Sequence, residues 1–272
     1  MSAIKELKFK SPSFYERLRG MLGVDFYRLF HTPLYYIFLG IAAIIPAMIL
    51  GMTTVEGGAP LYSNTWNIVA ADTPLYVFNE IGEYANMNMV FIFGGIMVSI
   101  FIGHDYKSGY VKQLFTTHPK KQDYMMSKTI SCAFAMSCMC ITYLIGGVAA
   151  GIITGSEMSV NVGSLIIAIV SKMIMSLGWA SLYTFLNVIF RKYFGISITS
   201  SFFFGTGILI IGAGALIGNS SPLLNIFLYG SSVNACLNSN IYTLIICILV
   251  SLLWSIIYNL LGTHILSKCD VY

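Results

Sequence analysis

The chain has 272 residues, of which 57% are hydrophobic and 10% are charged, and its mean hydropathy is +0.78. These values lie well outside those of a soluble domain and indicate a membrane protein. The formal net charge of +4 reflects basic residues gathered on one side of the membrane, so no nucleic-acid partner is expected.

Residues 1–33 precede the first apolar run. Within this segment, apolar side chains recur at helical spacing, at Phe14, Leu18, Met21, Leu22, Leu29 and Phe30. The periodicity predicts an amphipathic helix in the membrane interface; the alternative is a plain basic lead-in to a membrane anchor. Because the first apolar run begins only near Leu34, without a small-residue cleavage site, the first span is expected to stay as an anchor.

Six windows nearly free of charged residues follow, and each is long enough to cross a bilayer, which takes about 20 apolar residues. They cover about residues 34–52, 81–102, 127–150, 162–190, 196–218 and 241–266. The predicted fold class is therefore an all-α polytopic membrane protein with six transmembrane helices. Its parts are a cytoplasmic amino-terminal segment (1–33), a transmembrane domain (34–266) and a cytoplasmic tail (267–272).

Basic residues fall on one side of this arrangement. Of the 15 Lys and Arg residues, all but Lys172 lie before the first span, after the second or the fourth span, or in the tail. The other side carries only acids, at Glu56, Asp72, Glu80, Glu83 and Glu157. Because Lys and Arg are retained in cytoplasmic loops, both termini are predicted to be cytoplasmic.

The loop at residues 104–128, between the second and third spans, has its own helical pattern. One face carries Tyr106, Tyr110, Val111, Leu114 and Phe115, and the other positions carry Lys107, Lys112 and Gln113. Pro119 suits the first turn of a new helix, with Thr117 or His118 as its cap. The pattern predicts a short amphipathic helix that projects from the membrane as a lever; a solvated connector with anchoring lysines is the alternative.

This loop also resembles a known family. It carries, in order, Asp105, Tyr106, Gly109, Leu114, Phe115, Pro119, Tyr124 and Lys128. The order resembles the first cytoplasmic loop of ATP-binding-cassette type 2 (ABC-2) export permeases. The resemblance extends to the whole plan, with an interfacial amino-terminal helix, six spans, both ends inside and a long first outer loop.

The resemblance implies the permease subunit of a bacterial cytoplasmic-membrane exporter, whose loop helix couples it to a separate ABC ATPase. The implied complex has two ATPase subunits and a second permease subunit, of the same or a sister chain, in the bilayer. The coupling residues would be Asp105, Gly109, Lys112, Leu114, His118, Pro119, Lys120 and Tyr124. The chain contains no Gly-Lys dipeptide and hence no phosphate-binding P-loop, so ATP and Mg²⁺ are expected in the partner and no cofactor is expected here.

Lys172 is the single charge inside a predicted span. It lies roughly 15 Å deep, where an exposed ammonium costs about 3 kcal/mol, so it is expected to face a cavity or a partner. Glu80 and Glu83 are candidate counter-charges, and an anionic substrate group is another, which would place these three residues on a substrate pathway. The alternative is that Lys172 extends outward to the membrane surface.

Other functions find less support in the sequence. Neither a disulfide framework nor a metal site is indicated by the six cysteines and four histidines, and no converging catalytic groups lie in the spans, so the chain is not expected to be an enzyme. A secondary transporter or channel remains the alternative, although paired interrupted helices are not evident. The substrate classes that fit are an amphipathic or antimicrobial peptide, a lipid or a drug.

Overall fold

The computed structural model describes residues 12–53, 89–117, 120–154, 162–207, 222–237 and 240–268. All regular structure in these residues is helical, which confirms the all-α prediction. The α-helices are α1 (Phe14–Phe30), α2 (Pro33–Thr53), α3 (Met89–Lys107), α4 (Tyr110–Thr116), α5 (Lys121–Thr154), α6 (Val162–Ile189), α7 (Phe194–Gly205), α8 (Leu228–Leu237) and α9 (Ile241–Lys268). A short 3₁₀ helix, Pro222–Ile226, precedes α8.

Four of these helices, α3, α5, α6 and α9, are long and apolar enough to cross a membrane. A fifth span results if α1 and the first part of α2, which meet at a bend of 66°, are counted together. The chain is thus a helical, membrane-embedded protein. The predicted six spans remain a prediction, because part of the second window lies outside the described residues and α7, in the fifth window, is only 12 residues long.

Most helices begin and end near the predicted limits, with two clear differences. α7 ends at Gly205, well before residue 218, where the fifth predicted span ends, and a turn with a left-handed Gly207 follows it. α5 begins at Lys121, six residues before the third predicted span. Its first turns carry Asp123 and Lys128, which are completely buried in the protein. Partners on other helices neutralise these charges, so the helix continues through a stretch that an apolar window excludes.

A capping box begins α1, since the Glu16 amide donates to the Ser13 hydroxyl and the Ser13 amide donates to the Glu16 carboxylate at 2.7 Å. The helix buries Leu29 against the bundle, while Tyr15 and Tyr27 stay exposed. Of the six apolar residues predicted to share one face, Leu29 is buried whereas Phe14 and Phe30 are exposed, so the interfacial position of α1 stays a prediction. It lies mainly against α5.

Small residues bring α3 and α7 close together. Ser197, Ser201 and Gly205 are all buried on α7 at four-residue spacing. The Ser99 and Ser201 hydroxyl oxygens lie 2.6 Å apart, and a Cβ on Gly205 would come within 3.2 Å of the α3 backbone at Ile92. Such stripes allow close approach of membrane helices, where packing and short polar contacts drive association.

α6 forms the centre of the bundle and contacts α3, α5, α7, α8 and α9. The buried Trp179 of α6 stacks between Phe91 of α3 and Tyr183 of α6. The ring centroids are 5.6 Å apart in the Phe91–Trp179 pair and in the Trp179–Tyr183 pair. The Trp179 indole donates to the Ser232 hydroxyl at 2.8 Å, and the Tyr183 hydroxyl donates to the Phe91 carbonyl at 2.9 Å. The core is therefore aromatic, with its polar atoms hydrogen-bonded.

Candidate functional site

A buried group of charges joins three helices at the end of the bundle that carries α4. Asp25 comes from α1, Asp105 from the last turn of α3 and Lys128 from α5. The Lys128 ammonium lies 2.6 Å from a carboxylate oxygen of Asp25 and 2.6 Å from one of Asp105. Arg28 of α1 also pairs with Asp105. We call Asp25, Arg28, Asp105 and Lys128 the ionic cluster.

The ionic cluster is balanced in charge, and all its members except Arg28, whose side chain is 23% exposed, are buried. Its two carboxylates match its two cations, and the Ser127 hydroxyl donates to Asp25 at 2.6 Å. The Lys128 ammonium lies 4.7 Å from the centre of the Phe101 ring, and the Arg28 guanidinium lies 4.2 Å from that of Tyr110. Buried charges are tolerated only when such partners offset their desolvation. The cluster therefore holds α1, α3 and α5 in one arrangement.

Tyr110, the first residue of α4, borders this cluster. Burial raises the pKa of its phenol, and the Asp25 carboxylate raises it further, while Lys128 and Arg28 act in the opposite direction. The phenol therefore stays protonated at neutral pH and presents a neutral ring to both cations.

A second ion pair fixes the other end of α1. The Arg17 guanidinium donates to the Asp123 carboxylate at 2.7 Å, and Asp123 is completely buried. Arg17 and Arg28 are eleven residues apart, which is close to three helical turns, so they lie on the same side of α1. α1 is consequently attached to the bundle at two points.

The short helix α4 begins at a glycine that the backbone requires. Gly109 has a φ of 73°, in the left-handed region, and a Cβ added there would meet no atom within 4 Å. Conformation, and not space, therefore selects glycine at this turn. The turn reverses the chain between the end of α3 and α4.

The inner face of α4 belongs to a small apolar cluster with residues of other helices. Val111 is buried in an apolar cluster with Tyr124, Met125, Val188 and Leu266, with Met21, Tyr106, Leu114, Phe115 and Ile265 around them. The Phe115 and Tyr124 rings meet edge to face with centroids 5.6 Å apart. The apolar face that the sequence of α4 indicates thus joins a cluster to which α1, α3, α5, α6 and α9 also contribute.

The outer side of α4 and the residues that follow are exposed. We call this the loop surface; it consists of Lys112, Gln113, Thr116, Thr117 and Lys120. It is polar and positively charged, with no acid among its residues. α4 is suited to contact another protein, because its inner face is packed in the apolar cluster and its outer face, the loop surface, is basic and exposed.

The predicted coupling residues separate into two groups. Lys112 and Lys120 lie on the loop surface, and Leu114 is half-buried beneath it. Asp105 and Tyr124 are completely buried, so they support the loop from within this chain. Gly109 forms the turn, and His118 and Pro119 lie outside the described residues.

Of the predicted substrate-pathway residues, only Lys172 is described. It is 7% exposed on α6, and its ammonium lies 5.7 Å from the centre of the Tyr143 ring of α5. The side chain is thus enclosed between two helices within the bundle. Glu80 and Glu83 lie outside the described residues, so their pairing with Lys172 stays a prediction.

Sequence reasoning did not select Asp25, Arg28 or Arg17 as site residues. One feature distinguishes Asp25 in the sequence: it lies three and four residues after Leu22 and Met21 and four before Leu29, within the apolar stripe of α1. A carboxylate in such a stripe needs a cation on the facing helix. In the sequence, that partner, Lys128, is identified only as the last residue of the loop pattern, and not as the partner of an acid.

No family model matches this chain, and no curated protein or solved structure matches it either. Among the described residues, no group of three or more His, Cys, Asp or Glu side chains could hold a metal ion. A function for this chain must therefore be argued from the structure of α4 and of the ionic cluster.

Proposed function

We propose that this chain is the membrane-spanning permease subunit of an ATP-driven exporter of the ABC-2 type, in a bacterial cytoplasmic membrane with both termini inside. ATP hydrolysis takes place in a separate pair of ATPase subunits that contact the loop surface. The cargo is an amphipathic or antimicrobial peptide, a lipid or a drug.

One observation carries this proposal: the loop between α3 and α5 combines an exposed basic face with a base built from several helices. α4 rests through Val111 and Phe115 on the same apolar cluster as Tyr124 of α5 and Leu266 of α9. A force applied to the loop surface reaches these helices directly, because close-packed interiors transmit strain. A flexible connector would dissipate the same force.

The ionic cluster extends this connection to both ends of the loop. Asp105 lies in the last turn of α3, before α4, and Lys128 lies near the start of α5, after it; their side chains are joined at 2.6 Å. Lys128 is also joined to Asp25 of α1. When the ATPase pair closes, α3, α5 and α1 therefore move together with α4 and reshape the space between two permease subunits.

A charge reversal on the loop surface tests this function. Affinity-tagged protein is purified from its native membrane, and the eluate is assayed for co-purified ATPase and vanadate-sensitive ATP hydrolysis. Lys112→Glu with Lys120→Glu should remove most of the ATPase while leaving the permease in the membrane. Lys192→Glu is the matched control, since Lys192 is exposed in the turn after α6.

Two results would contradict the proposal. One is normal ATPase recovery with the double variant. The other is a preparation without ATPase that moves solute into liposomes under an ion gradient, which would identify a secondary transporter or channel.

A further inference from the structure

A cavity of about 510 Å³ lies between the first turns of α5 and the last four turns of α9. It is lined by Gln122, Met126, Ser255, Ile256, Asn259, Leu260, Thr263, His264 and Ser267. None of these residues belongs to the ionic cluster or to the loop surface. Its volume is within the 300–1,000 Å³ range of pockets that hold small organic ligands.

Along α9, the cavity is lined by a row of polar side chains with apolar side chains next to it. Ser255, Asn259, Thr263 and Ser267 follow each other at four-residue spacing, over about 18 Å of α9. Ile256 and Leu260, on the outer side, are 59% and 61% exposed. A membrane helix that presents a polar line next to an exposed apolar edge matches a ligand that is itself amphipathic.

The mouth of the cavity is basic. The Lys121 ammonium lies 3.5 Å from the Ser267 carbonyl, so it bridges the start of α5 and the end of α9. His264 lines the cavity, and Lys268 is exposed at the last residue of α9. The acid on this turn of α5, Asp123, is buried and paired with Arg17. Positive charge at the mouth is therefore not neutralised by that carboxylate.

We propose that this cavity binds a phospholipid with an anionic headgroup. The headgroup lies against Lys121 and His264, and an acyl chain runs along Met126, Ile256 and Leu260. Lys121 lies at the end of two candidate membrane spans, which is the depth of the headgroups in a bilayer. Lys and Arg side chains attract anionic lipids at this depth. If both termini are cytoplasmic, as proposed above, this lipid belongs to the inner leaflet; only that assignment depends on the proposed function.

Native mass spectrometry of the purified protein tests this site without ATP or an ATPase. The protein is titrated with phosphatidylglycerol and, separately, with phosphatidylcholine of the same acyl chains. We expect tighter binding of phosphatidylglycerol to the wild type. Lys121→Gln should raise the dissociation constant for phosphatidylglycerol about fivefold, from the effect of one basic residue near a membrane surface, while Lys192→Gln should leave it unchanged.

A second variant tests the cavity itself. Thr263→Leu fills part of it without altering charge, and should weaken binding of both lipids while the melting temperature stays that of the wild type. Equal affinity for the two lipids, or equal effects of Lys121→Gln and Lys192→Gln, would overturn the proposal.

Two other occupants can be recognised in the same experiment. Inorganic phosphate that displaces phosphatidylglycerol completely would indicate an anion site without a lipid. A dimer that forms in the wild type and is lost with Thr263→Leu would indicate a second copy of the chain in the cavity. Either result would overturn lipid binding.

Discussion

Asp25→Asn gives a direct test of the ionic cluster. In the wild type, Lys128 lies between two carboxylates at 2.6 Å each, and Arg28 provides the second cation. The asparagine keeps the shape of the side chain but leaves the buried cluster with one excess positive charge. Removing one partner of a buried ion pair costs about 3–5 kcal/mol, a large part of the 5–15 kcal/mol that stabilises a typical domain.

The free energy of unfolding can be measured in mixed micelles, with helicity followed by circular dichroism as the denaturing detergent is increased. Lys128→Met should be similarly destabilising when made alone. In the double variant the pair of Arg28 and Asp105 remains balanced, so the loss should be about 2 kcal/mol less than the sum of the single losses. Lys192→Gln, an exposed control, should change stability by less than about 0.5 kcal/mol.

Two results would refute this reasoning. Asp25→Asn within about 1 kcal/mol of the wild type would mean that water reaches the cluster and solvates Lys128. Strictly additive effects of Asp25→Asn and Lys128→Met would mean that the two side chains do not interact.

Three further substitutions have effects that follow from packing, backbone conformation and hydrogen bonding. Gly146→Ala should lower the melting temperature markedly, because the alanine Cβ would lie 2.1 Å from the Ala43 carbonyl oxygen and force α2 and α5 apart. Gly195→Ala is the control and should leave the melting temperature unchanged, since a Cβ there would meet no atom within 4 Å. Gly109→Ala should cost about 1–2 kcal/mol through its left-handed φ, and Gly109→Asn less, as measured by the same micelle unfolding. Asn187→Ala should cost about 1 kcal/mol on that assay, since it removes hydrogen bonds that join α3, α6 and α7; no loss there would show that those hydroxyls find other partners.

The limits of a helix can be predicted from the sequence where the helix consists almost entirely of apolar residues. α2, α6 and α9 follow their windows closely because long apolar runs leave a membrane helix as the stable structure. α7 and α5 are exceptions, because α7 ends at Gly205, before its window does, and an apolar window cannot include Asp123 and Lys128 of α5. Their partners, Arg17 and Asp25, are more than 100 residues away along the chain, and a local pattern contains no information about them.

The same distinction applies to the candidate site. The two faces of α4 follow from helical periodicity alone, so Val111 lies inside and Lys112 outside as the sequence indicates. The ionic cluster does not follow, because it depends on the packing of α1 against α3 and α5. Asp105 and Tyr124 were predicted as contacts to a partner, yet their burial could be recognised only after the helices had been placed.

The pairing of Asp25 with Lys128 also constrains the order of assembly during synthesis. Asp25 leaves the ribosome 103 residues before Lys128, an interval of roughly 5 to 20 seconds at the usual rates of translation. Throughout this interval the carboxylate has neither of its final partners on α5, the Ser127 hydroxyl and the Lys128 ammonium. α1 therefore cannot complete its contacts with α5 until about 100 further residues have been synthesised.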